Sequence, residues 1–184
     1  MTTARWAGVT YLFLIAAGIF SLAYAPGQYL VRGDAVATVV SLQANVLLFK
    51  SAIVAELACY ASFVLLVALL YKVLRHWSET LALAMAGFVL VSVPIGYIAV
   101  GEKLFALQLL GAGVDQAAAV DAHLERYADF RTLAEVFWGL WLLPYGLLVL
   151  KSRAIPRSLW GGAHSWMLQL RGWRCRSIVL EWIL

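Results

Sequence analysis

The sequence predicts an all-α integral membrane bundle of four transmembrane helices, on three observations. Of 184 residues, 64% are hydrophobic and 13% charged, with a mean hydropathy of +0.85, whereas soluble domains carry about 25% charged residues. The apolar residues gather into runs of about twenty, which at ~1.5 Å rise per residue cover a ~30 Å hydrocarbon core. The fourteen Lys and Arg stand at the ends of those runs, as topology signals do. They are not collected on one face, which argues against a nucleic-acid partner despite a net charge of +4.

Spans are expected at about 7–25, 51–71, 81–104 and 132–150. The first follows Arg5. Its ending Ala23-Tyr24-Ala25 also fits a cleaved leader, but Pro26 stands where the processed chain would begin, so a retained helix closed by Pro26-Gly27 is the reading adopted. The next stretch mixes turn residues with apolar ones, and Gly33-Asp34 caps a short helix from near Ala35, half a span long and expected at the interface. The second span, Ser51 to Leu70, holds one charge, Glu56, between Lys50 and Lys72, and runs into a basic, aromatic turn of Arg75, His76 and Trp77.

Ser78 is the expected N-cap of the third span, with Glu79 beside the helix dipole. Pro94 lacks an N–H for the carbonyl of Leu90, so a kink is expected there. Glu102 and Lys103 lie about 31 Å along from Leu81 and read as a charge pair at the far headgroup layer. Gly111 to Gly113 end the helix and Asp115 caps the next. No breaker follows until Pro144, which predicts one long helix, acidic and polar to about Arg131 and membrane-spanning beyond, projecting outward and bent at Pro144. Glu135, Gly139, Leu142 and Gly146 share a stripe whose small residues would permit close helix approach. The tryptophans and tyrosines mostly flank the spans as an aromatic belt, with Trp138 and Trp141 just inside. After the basic stop from Lys151 to Arg157, the 162–184 tail is interrupted by Arg171, Arg174 and Arg176 and suits an interfacial helix or a disordered segment. Domain 1–161 is thus the four-span unit and 162–184 a basic Trp/Arg-rich tail.

Alternating the loops puts nine Lys and Arg on one side and four on the other, with Lys103 at the edge. The positive-inside rule then places both termini in the cytoplasm and the protein in the cell membrane. The lipid bilayer is the expected partner, with a homo-oligomer or a companion membrane protein beside it.

Candidate chemistry is sparse. Glu56 lies about 9 Å inside Lys50, and a central carboxylate costs on the order of 2.5–3.5 kcal/mol to insert. It must therefore pair, protonate or face the bundle. Glu102 and Glu135 fall on the same outer side, with Lys103 and Arg131 as counter-charges, and Arg131 and Glu135 are spaced to pair along their own helix. These five residues form a candidate polar pocket for a cation or proton; each acid as a satisfied interface residue is the simpler reading. His76 and His164 are assigned to one side and His123 to the other, so they share no metal. His123 beside Asp121 and Glu125 reads as a solvated face. Cys59 and Cys175 have no evident partner. No catalytic motif, metal site or cofactor loop is present. A non-enzymatic structural, sensing or accessory component is expected; the alternative is a transporter or channel subunit for small solutes, ions or protons, using the outer carboxylates.

The opening Arg5-Trp6-Ala7-Gly8-Val9-Thr10-Tyr11-Leu12, the Arg32-Gly33-Asp34-Ala35 turn, Leu69-Leu70-Tyr71, and the closing Trp138-Gly139-Leu140-Trp141-Leu142-Leu143-Pro144-Tyr145-Gly146 with Lys151 to Arg157 resemble the domain of unknown function 4386 family. The likeness runs from about Ala4 to Gly161. It implies a bacterial multi-pass helical bundle with no assigned activity and supplies no catalytic residues. Where family members continue into further apolar helix, this chain changes to its Arg- and Trp-rich tail, as a shifted reading frame or truncated terminus would.

Overall fold

Each apolar run folds into a helix longer than the run itself, because helical backbone continues into the polar flanks until a turn residue stops it. A computed structural model describes residues 3–152. Helix α1, Thr3–Gly18, widens into a π-helical segment, Ile19–Tyr24, and is followed by a single turn, α2, Pro26–Tyr29. Then come α3, Ala35–Ala44, α4, Val46–Leu74, α5, Glu79–Leu109, α6, Ala117–Leu140, and α7, Leu142–Ser152, with two short 3-10 turns between α5 and α6. No strand is present among the described residues. Four helical stretches, Thr3–Tyr29, Val46–Leu74, Glu79–Leu109 and Val114–Ser152, are long and apolar enough to cross a membrane. The described residues up to Leu148 form one compact unit, whose boundary falls within α7. The tail 162–184, with His164 and Cys175, lies outside the described residues.

Helix ends follow local chemistry. Pro26 does not end the first helical stretch as expected; it starts a new turn, where its missing N–H and preset φ suit the first helical position. The chain leaves helical geometry only at Leu30 (φ −84°, ψ 120°). Gly33 takes φ +78°, the left-handed conformation that glycine adopts without strain. Asp34 then caps α3, its Oδ1 accepting from the Ala37 N–H at 2.8 Å. Removing this acceptor with Asp34→Ala should cost about 1 kcal/mol, read as a small loss of thermal stability in detergent. Ser78 holds the N-cap position of α5, but its hydroxyl makes no cap bond.

Pro94 stands inside an uninterrupted α5, whereas Pro144 divides the fourth stretch. Pro144 has no N–H for the carbonyl of Leu140, and α6 ends at that residue. The one long helix expected is therefore two, joined at Trp141, with Tyr145 N–H donating to the Trp141 carbonyl to restart the ladder.

Packing is most extensive between α5 and α6, α1 and α4, and α4 and α5. The buried residues of α5 step through Ala82, Met85, Val89, Ser92, Gly96, Ala99, Lys103 and Ala106 in alternating threes and fours. In α4, Phe49, Glu56 and Phe63 recur every seven residues, as do Ile53, Tyr60, Val67 and Leu74. In the fourth stretch the seven-residue series is Val120, Tyr127, Ala134, Trp141 and Leu148. A 3.5-residue repeat is the signature of helices that stay in contact by wrapping at small crossing angles.

This register corrects one expectation. The stripe through Glu135, Gly139, Leu142 and Gly146 does not meet protein: Glu135, Gly139 and Leu142 are exposed, and a Cβ at Gly139 or Gly146 would meet nothing. Close approach occurs instead at Gly96, where Tyr60 lies flush on the α5 backbone. Trp141, just inside the span, faces protein. It is buried with its ring edge-on to Phe63, centroids 5.4 Å apart, and Trp138 packs partly buried beside Tyr60.

Candidate functional site: a buried ion pair across three helices

Glu56, Lys103 and Tyr127 occupy core positions of α4, α5 and α6 in the registers described above, so that three polar side chains are delivered to one level of an apolar interior. Glu56 is 2% exposed and Lys103 1%. Lys103 Nζ donates to Glu56 Oε2 at 2.7 Å. Tyr127 OH donates to Glu56 Oε1 at 3.1 Å, and Lys103 Nζ also lies 3.9 Å from the centroid of the Tyr127 ring. Both carboxylate oxygens are thus engaged, and the ammonium is held between an anion and the negative face of an aromatic ring. Two charges out of water are tolerated only with geometry of this kind, since each alone carries several kcal/mol of desolvation cost.

Glu102, next to Lys103 in sequence, points elsewhere, because one residue turns an α-helix by about 100°. Its Oε2 accepts from Arg126 Nε at 3.1 Å and lies 2.6 Å from His123 Nδ1. Arg126 Nη2 is 2.7 Å from the same imidazole nitrogen, and Phe105 stacks on the His123 ring. Nδ1 can donate to Glu102 or accept from Arg126, one at a time. This cluster is partly exposed and ties the end of α5 to α6. Arg131 and Glu135 pair along α6 at 3.3 Å, both partly exposed.

The five residues of the candidate pocket therefore fall into three groups. Glu56 and Lys103 meet each other; Glu102 joins His123 and Arg126; Arg131 and Glu135 keep to themselves on α6. The adjacent Glu102-Lys103 pair is not a headgroup anchor, since Lys103 points into the core. Sequence reasoning missed Tyr127, and it read His123 as a solvated residue. A signal for Tyr127 existed: it lies seven residues from both Val120 and Ala134, as Lys103 does from Gly96 and Glu56 from Phe49 and Phe63. Nothing in the sequence marks the meeting of Glu102 with His123. Among the described residues no cluster of three or more His, Cys, Asp and Glu could hold a metal ion. Cys59 is a free thiol directed at the Leu14 carbonyl on α1, 3.7 Å away. Ser62 and Ser92 bond carbonyls of their own helices.

Fold and site together define a helical bundle with four apolar stretches of membrane-crossing length, knitted internally by a carboxylate–ammonium–phenol cluster. The chain belongs to the family described as domain of unknown function (DUF4386), whose model matches residues 6–167. No curated protein matches it, and no solved structure does.

Proposed function

We propose that this chain is a multi-pass component of the cell membrane with both termini in the cytoplasm, acting as a non-enzymatic structural, sensing or accessory protein. One observation carries the reading: the deeply placed acid Glu56 is saturated inside the bundle by Lys103 and Tyr127. An acid that moves protons or ions must exchange its partners with water or cargo during each cycle. Glu56 instead holds three helices together. The excess of Lys and Arg on the loops of one side supports the orientation.

The second reading, a subunit that conducts protons, ions or small solutes, draws on the Glu102–His123–Arg126 cluster. It places ionisable groups from a partly exposed rim to the neighbour of Lys103. Reconstitution into liposomes containing a pH-sensitive dye, under an imposed proton gradient, separates the two. The expected result is leakage equal to that of protein-free vesicles, unchanged by Glu56→Gln or Glu135→Gln. Proton flux through the native protein above that of protein-free vesicles would overturn the first reading in favour of the second.

A further inference from the structure

A groove of about 720 Å³ runs between α4 and α5 at the end where the two helices are joined. Val64, Ala68, Lys72 and Arg75 line it along α4, and Leu83 and Leu90 along α5. Its chemistry is one-sided. The walls are apolar from Val64 onward, aliphatic except for Tyr71, and the cations stand together at the helix end, where Lys72 and Arg75 are exposed. Neither makes an ion pair among the described residues. The nearest acid in sequence, Glu79, accepts a hydrogen bond from Tyr71 OH at 3.4 Å. From Val64 to Arg75 the helix rises about 16 Å, half of a ~30 Å hydrocarbon core. The groove is therefore one leaflet deep, apolar along its length and basic at its mouth.

We propose that this groove binds an anionic phospholipid of the adjoining leaflet, one acyl chain lying along Val64, Ala68 and Leu90 and the phosphate resting on Lys72 and Arg75. The Arg75 guanidinium offers paired donors that match phosphate oxygens, and Lys72 adds a point charge. A zwitterionic lipid of the same chain length fills the same groove, but its own headgroup cation offsets the gain. Basic recesses between membrane helices select anionic headgroups on this basis. The inference does not depend on the role assigned to Glu56.

Native mass spectrometry tests it. The full chain is purified in an uncharged detergent and offered phosphatidylglycerol and phosphatidylcholine with identical acyl chains, in equal amounts. Retention of phosphatidylglycerol over phosphatidylcholine by on the order of tenfold is expected, falling to near parity in Lys72→Gln/Arg75→Gln while phosphatidylcholine is still retained. Ala68→Phe, which fills the groove, should lower retention of both lipids. Lys50→Gln, at the opposite end of α4, should leave the preference unchanged. The proposal is overturned if the double variant keeps its preference or if Lys50→Gln lowers it equally. It is also overturned if Ala68→Phe turns a dimer into a monomer with lipid retention unaltered, which would give the groove to a second copy of the chain.

Discussion

Glu56→Gln should destabilise the bundle by about 3–5 kcal/mol, with Lys103→Met losing a similar amount. Glutamine preserves the shape of the side chain and can still accept from Tyr127, so what it removes is the negative charge facing Lys103 Nζ at 2.7 Å. The ammonium then remains 1% exposed with an aromatic face and a neutral amide for company. The attraction that offset its desolvation is gone while the desolvation stays. The double variant Glu56→Met/Lys103→Met should return to within about 1–2 kcal/mol of the native protein, because apolar side chains of similar volume carry no such cost. Tyr127 loses its acceptor in that background, and Tyr127→Phe should then cost little. Reversible unfolding in mixed detergent micelles measures these proteins, with Glu56→Met alone closing the cycle with Lys103→Met. Additive losses from the two single substitutions would show that the residues are not coupled, and the assigned clamp would fail.

Gly96→Ala should lose about 1–3 kcal/mol, the range for overpacking a close-fitted interior, and Gly96→Leu should lose more. A Cβ at this position would overlap the Cζ and Cε1 atoms of the Tyr60 ring. The ring cannot swing clear: it is buried, with Tyr97 at 5.7 Å and Trp138 at 6.1 Å between centroids. Gly96 lies seven residues before Lys103 on the same buried row, so displacement of α5 there also disturbs the ion pair. Tyr60→Phe is the informative control. The Tyr60 hydroxyl is buried without a hydrogen-bond partner among the described residues, so its removal should be close to neutral, and because the overlap with Cζ and Cε1 stays after the hydroxyl is gone, it should not rescue Gly96→Ala. Tyr60→Leu should rescue it in part. The same micelle unfolding measurement decides, and a fully stable Gly96→Leu protein would refute the close α4–α5 contact.

Much of the fold was legible from local chemistry. The Asp34 cap was visible because an Asp after a glycine, before an apolar run, offers an acceptor to free N–H groups. The Arg131–Glu135 pair was visible because four residues on a helix bring side chains together whatever surrounds them. Misreadings came where one residue competes with a larger context. Pro26 was read as a stop, since proline ends helices from within, yet at the first position of a turn it is compatible with helix. Trp138 and Trp141 read as lying just inside the aromatic flanks of the last span, and it is the Val120–Leu148 register that turns Trp141 onto Phe63.

Hydropathy and charge placement were enough to establish four membrane-length rods, their approximate limits and the acid that one of them carries. Transfer of a side chain from water to an apolar phase depends on that side chain and hardly on its distant neighbours, so it can be summed along a chain. Which cation meets Glu56, why Glu102 and Lys103 face different ways, and where two backbones come closest were set by the folded bundle alone. Those outcomes depend on the rotational phase of α4, α5 and α6 about their own axes, and a shift of one residue, about 100°, would send Lys103 to the outside of the bundle and leave Glu56 unpaired.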